Sequence, residues 1–117
     1  MLAMRKSYDV VIWWSTPVEI ASAISRLERM KQLGTAEADY ARRLAAELAQ
    51  LWSVIMPSDA VQNKAIQLVS SYDLRAADAL QLAGALQWCE DMPHGESFLS
   101  SDQRLREAAS LRGFDVL

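Results

Sequence analysis

A chain of 117 residues has room for one compact domain with a real core and is too short for two of ordinary size. With 51% hydrophobic and 23% charged residues it fits a soluble globular protein rather than a disordered one, and no apolar run approaches the roughly 20 residues of a membrane span. The formal charge of −3 excludes a general attraction to nucleic acid, so any such contact must come from a local basic patch or from metal neutralising an acidic site.

Met1 to Tyr8 is short and mixed, and Arg5 and Lys6 are not followed by the apolar segment of a signal peptide, so the expected compartment is the cytoplasm. From Asp9 the chain reads Asp-Val-Val-Ile-Trp-Trp, a buried strand rich in β-branched and aromatic residues. Thr16 can cap the helix that follows, Pro17 suits its first position, and Glu19 falls where a capping-box glutamate would. That helix should run to about Leu33 with Ile20, Ile24 and Leu27 as its core stripe, Ala23 and Met30 alongside, and Gly34 ending it. A second helix is expected from Thr35 to about Trp52, with Tyr40, Leu44, Leu48 and Leu51 at helical spacing.

Ser53 to Pro57 reads as a brief strand, and Ser58-Asp59 opens a helix through about Ser71. Asp73 to Trp88 is another helix, with Ala79, Leu82, Ala83 and Leu86 on one face. Glu90 to Glu96 is a polar loop in which His94, the sole histidine, reads as a turn residue, which argues against histidine-based catalysis. Cys89 is the sole cysteine, so neither an internal disulfide nor a cysteine-rich zinc site can form; it reads as a small buried hydrophobe. Ser97 to Ser100 is a strand, Asp102 to Leu111 a helix ended by Gly113, and Phe114 to Leu117 a last short strand. Strands alternating with helices in this way imply an α/β domain whose parallel sheet is covered by helices on both faces. No repeat or linker divides residues 1–117, so a single domain is expected.

Glu19, Asp78 and Asp102 form the constellation of interest. Each has a structural explanation: Glu19 as the capping-box partner of Thr16, Asp102 as a carboxylate at a helix N-terminus, and Asp78, the hardest to explain this way, as an aspartate among alanines one turn inside its helix. Together they suggest more, because ligands of open α/β sheets bind at the carboxyl ends of strands, and Glu19 and Asp102 lie just past such ends. Converging carboxylates repel unless a cation lies between them, and oxygen ligands without His or Cys favour Mg²⁺ or Mn²⁺. Such ions suit phosphodiester cleavage.

Three stretches carry a resemblance: Ser15-Thr-Pro-Val-Glu-Ile-Ala-Ser-Ala-Ile-Ser-Arg26, Leu74-Arg-Ala-Ala-Asp-Ala-Leu-Gln-Leu-Ala-Gly-Ala-Leu86, and Phe98-Leu-Ser-Ser-Asp-Gln-Arg-Leu-Arg106 with the ending Gly113-Phe-Asp-Val-Leu117. In order and approximate spacing they resemble the PIN-domain family, especially the toxin ribonucleases of VapBC toxin–antitoxin pairs. The resemblance implies that Glu19, Asp78 and Asp102 hold Mg²⁺ or Mn²⁺, that Ser100 stands near the metal, and that the chain is an endoribonuclease acting on structured RNA such as transfer RNA and inhibited by a cognate antitoxin.

The front departs from the family pattern. A PIN domain opens with a central strand ending in hydrophobic-Asp-Thr/Ser, the source of the first metal-binding aspartate, and then a helix; this chain begins where that helix would be finishing. A PIN-like sheet lacking its first strand, and most of its first helix, is therefore expected. Asp9 precedes its strand and should lie at the opposite edge from the site, and Trp14 occupies the place the aspartate would need. A gap inside the sheet would leave two strand edges open, so something should fill it. Trp13 and Trp14 point to opposite faces and are both expected in the core; if the first helix is missing, one ring is left for a second subunit, and a homodimer is expected. Arg26 shares a helix face with Glu19 two turns away, where it could hold phosphate, although a solvated face is the better explanation of Arg26, Arg29 and Lys31. The alternative to a ribonuclease is a non-catalytic PIN-like module for protein binding or dimerisation.

Overall fold

The computed structural model describes residues 2–4 and 10–117. Asp9, Arg5 and Lys6 lie outside the described residues. Ten elements follow in chain order: β1 (Leu2–Met4), β2 (Val10–Trp13), α1 (Thr16–Arg29), α2 (Thr35–Ala49), β3 (Ser53–Ile55), α3 (Asp59–Ser71), α4 (Ala76–Trp88), β4 (Ser97–Leu99), α5 (Gln103–Arg112) and β5 (Asp115–Val116). They form two compact units, a sheet unit made of residues up to Trp14 together with Ser53–Leu117, and a helical hairpin, Ser15–Trp52. No helix among the described residues is long and apolar enough to cross a membrane.

The sheet has the order β3-β2-β1-β4-β5. β2 and β3 pair in parallel, as do β4 and β5, but β1 runs antiparallel to both its neighbours, with Leu2 opposite Ile12 on one side and Leu99 on the other. The expected wholly parallel sheet is thus a mixed one, and its centre is filled by an N-terminal strand that the sequence did not announce. Chain connectivity explains the direction. Only five residues separate Met4 from Val10, enough to join antiparallel neighbours and far short of the dozen or more that a parallel crossover needs. Ala3 is fully buried there, and the ladder edges of β2 and β4 are both paired.

The core of the sheet unit lies around α4, whose Ala79, Leu82, Ala83, Ala85 and Leu86 are solvent-free. Small residues suit this position because neighbouring elements approach closely. At Gly84 a Cβ would stand 2.8 Å from Trp13 Cε3 and 3.2 Å from Cζ3, so the glycine is what lets the Trp13 ring lie flush on the helix. Trp13 is 5% exposed and Trp14 is 54% exposed, so the expected tryptophan pair divides, one ring in the core and the other on the surface. Beyond α4, Phe98 and Phe114 pack with ring centroids 5.4 Å apart, and Leu68 and Leu105 complete the cluster. Each fully buried side chain of this size contributes about 1.5–3 kcal/mol. Cys89 is buried as expected, and burial pushes its thiol above the ordinary value of 9.0.

The hairpin differs more from expectation. α1 stops at Arg29, and Lys31, not Gly34, takes the left-handed conformation beyond it, at φ 59°. Gly34 instead precedes α2 in extended conformation, and its N–H donates to Glu37 Oε1 at 3.2 Å. In the expected α1 stripe Ile24 is buried, but Leu27 and Met30 are exposed. α2 buries Ala38 and half-buries Ala41, Ala45 and Ala49, while the expected stripe of Tyr40, Leu44, Leu48 and Leu51 faces solvent. The reason is steric: alanines let α1 and α2 approach closely, and the larger side chains turn outward. Arg42 fastens the hairpin, donating to Glu28 at 2.6 Å and Asp39 at 3.0 Å; the Glu28 carboxylate holds its guanidinium charged beyond the ordinary range.

Candidate functional site

Asp102 sits at the exit of β4 and caps α5, accepting the Leu105 N–H through Oδ1 at 2.9 Å. Ser100 Oγ in turn accepts the Asp102 N–H at 3.1 Å, so the serine braces the turn that presents the carboxylate. Arg106 donates to the Ser100 carbonyl at 3.4 Å. A carboxylate has about four lone-pair sites, and the cap uses one, so capping and metal ligation are chemically compatible on Asp102.

Asp78 lies in the first turn of α4, because that helix begins at Ala76 rather than at the expected Asp73. This changes its standing: an aspartate there interacts favourably with the helix dipole and is no longer an interior misfit. It is half-buried. α4 leads through the 89–96 loop into the start of β4, so its own start lies toward the carboxyl edge of that strand, the edge from which α5 departs. An ion pair spans the two helix entries, Arg104 in the first turn of α5 reaching Asp73 just before α4 at 3.4 Å. Asp78 and Asp102 thus belong to helix N-termini that open on the same edge of the sheet unit. The Arg104 and Asp73 side chains are both largely exposed, so the pair marks the proximity of the two helix entries rather than fixing it.

Glu19 belongs to the helical hairpin, on α1. The expected capping box is not formed: Ser15, not Thr16, occupies the N-cap position, and no side chain caps the helix there. Glu19 accepts a hydrogen bond from the Ser15 hydroxyl at 3.1 Å instead. Thr16 is buried as the first helical residue. Arg26 lies exposed in the last turn of α1. Within neither unit do three or more His, Cys, Asp or Glu of the described residues gather closely enough to hold a metal ion. The oxygen-only donors in the sheet unit suit a hard cation, but the two acids there are a partial set.

The hairpin also contains an apolar cavity of about 350 Å³ lined chiefly by Pro17, Ile20, Ile24, Ala45, Ala49 and Trp52, with Arg42 at its polar side. Its size lies within the range of small-ligand sites, and its lining would accept apolar side chains equally well. Sequence reasoning missed Ser15, whose hydroxyl was legible four residues before Glu19, and Gln81, a polar residue buried in the apolar run of α4. No protein-family model matches the chain, and no curated protein matches it.

Proposed function

We propose that the chain is a metal-dependent endoribonuclease of PIN/VapC toxin type, in which Glu19, Asp78 and Asp102 hold Mg²⁺ or Mn²⁺ against an RNA phosphodiester. The supporting observation is that α4 and α5 start at one edge of the sheet unit, linked by the Asp73–Arg104 pair, so that Asp78 and Asp102 belong to the same carboxyl edge. Glu19 joins them on the strength of the sequence motif. The metal would supply a bound water of lowered pKa and neutralise the phosphate. The chain's own groups hold and orient it: Ser100 fixes the Asp102 turn, Ser15 holds Glu19, and Arg26 is assigned to phosphate. RNA, transfer RNA included, is the proposed substrate; an antitoxin and a second copy are the proposed protein partners, with the apolar cavity of the hairpin assigned to antitoxin side chains.

One observation favours the second reading, a non-catalytic PIN-like module for protein binding or dimerisation. The strand between β2 and β4 carries Leu2, Ala3 and Met4 and runs antiparallel, so it brings no carboxylate to the place where the family has its first aspartate. Incubating structured RNA with the purified chain and Mn²⁺ separates the two. A ribonuclease cleaves in a metal-dependent way and loses at least about tenfold in rate in Asp78→Asn. Absence of cleavage supports the binding module, and equal cleavage by the mutant assigns the activity to a contaminant.

A further inference from the structure

We propose that Arg75, Arg104 and Arg106 carry the phosphates of an RNA strand across the starts of α4 and α5, past Asp78 and Asp102. This deepens the ribonuclease reading, on which it rests for RNA as the substrate. Helix N-termini repel cations and favour acids. Yet Arg75 occupies the N-cap position of α4, where its side chain can accept no hydrogen bond, and Arg104 and Arg106 fall in the opening turn of α5, which holds no acid. Other cations of the chain have ordinary structural explanations. Arg26 and Arg29 lie in the last turn of α1 and Arg112 in that of α5, where the helix dipole favours them, and Arg42 and Lys64 pair with carboxylates at 2.6 Å. The three arginines at the helix starts oppose the dipole instead, and an anion bound between them accounts for their positions.

The cluster brackets the acids. Arg104 reaches Asp73 across the two helix entries at 3.4 Å but stays 64% exposed, a contact weak enough to exchange for a phosphate. Arg75 follows Asp73 closely in the chain, is exposed, and forms no ion pair among the described residues. Arg106 donates to the Ser100 carbonyl at 3.4 Å, which keeps its guanidinium beside the turn that presents Asp102. Residues 104 and 106 stand about 200° apart around a helix, so Arg104 faces the α4 entry and Arg106 the exit of β4, with the Asp102 cap between them. A guanidinium suits this task because its fixed fork binds two oxygens of one phosphate. Such a row also explains how a chain of net charge −3 can hold RNA locally.

Fluorescence anisotropy of a labelled single-stranded RNA, titrated with the full chain in EDTA so that no metal-dependent cleavage proceeds, tests this. The logarithm of the wild-type affinity should fall with the logarithm of salt at a slope of about −2, from three phosphates at about 0.7 each. Arg75→Gln and Arg104→Gln should each weaken binding about eightfold at about 50 mM salt, the counterion-release factor of one phosphate, and make the slope shallower by about 0.7. Both variants should melt at or above the wild-type temperature, because each removes a cation from the wrong helix end. Asp78→Asn should bind more tightly than the wild type in EDTA, because the metal-free carboxylate repels the passing backbone. Arg112→Gln, at the far end of α5, should leave affinity and slope unchanged. A wild type that does not bind, arginine variants that keep the wild-type slope, or an equal loss in Arg112→Gln overturns the cluster. An Asp78→Asn variant that binds no better than the wild type places the RNA elsewhere and overturns it too. RNA bound through the arginines but left uncut in Mn²⁺ keeps the cluster and ends the ribonuclease reading, whereas cleavage by a chain whose binding ignores these arginines does the reverse.

Discussion

Replacing Asp102 by alanine and by asparagine separates what this residue does for the fold from what it does for a metal. The Asp102 carboxylate caps α5 through a 2.9 Å bond to the Leu105 N–H. Loss of such a cap costs about 1 kcal/mol, in a range of about 0.5–2. For 117 residues the unfolding entropy near the transition is about 0.25 kcal/mol/K, so Asp102→Ala should lower the melting temperature by about 4 °C. Asparagine caps as well as aspartate but lacks the charge that meets the helix dipole, a difference of about 0.3–1 kcal/mol that salt screens. Asp102→Asn should therefore melt about 1–4 °C below the wild type at low salt and approach it as salt is added. Metal binding reverses the similarity: Mn²⁺ at ten times its dissociation constant adds about 1.4 kcal/mol to the wild type, and the asparagine variant should gain little at the same concentration. Differential scanning fluorimetry with and without Mn²⁺ reads all of this. An alanine variant that melts with the wild type refutes the cap, and an asparagine variant that responds fully to Mn²⁺ refutes ligation by Asp102.

Gly84→Ala should destabilise the protein despite the helix propensity of alanine. The overpacking against Trp13 at 2.8 Å costs about 1–3 kcal/mol against a gain of about 1, and urea unfolding should show a net loss. Ser58→Ala removes the cap of α3, whose hydroxyl accepts the Val61 N–H at 3.2 Å, and should cost about 1 kcal/mol in the same assay. The raised pKa of the Cys89 thiol means that the unfolded chain releases its proton first, so this group's contribution to stability is complete at neutral pH and falls as the pH rises above 9. Unfolding measured from pH 8 to pH 10.5 should lose part of its downward slope in Cys89→Ala, and an unchanged slope would contradict the assignment.

Local chemistry was the most legible part of the fold. Ser58-Asp59 opens α3 and Gly113 ends α5 in left-handed conformation, as their residue types require. Periodicity was less informative, since it tells which side chains share a face but not which face is covered. Tyr40, Leu44 and Leu48 share a face of α2 and Leu51 lies just past its end, yet alanines form the packed side because they permit the closer approach. The central strand was illegible for another reason. Leu2-Ala-Met4 is too short to register as a periodic signal, and its place follows from the two strand edges that need partners and from the short connection to β2. At the site, the motif order singled out Asp78 and Asp102, but the start of α4 was misjudged by three residues, which hid the N-terminal position of Asp78. Asp73, which had been read as that helix start, instead forms the ion pair that links the two helix entries.

The central claim is that a divalent cation sits among these acids. Mn²⁺ is paramagnetic, and amide resonances close to it broaden as it is titrated into the labelled protein. The first turns of α4 and α5 should broaden together at substoichiometric Mn²⁺, with the amides around Glu19 following the same titration, and Asp78→Asn should suppress all three. Broadening confined to a single helix start, scattered over exposed carboxylates, or unchanged in Asp78→Asn would contradict a shared metal site.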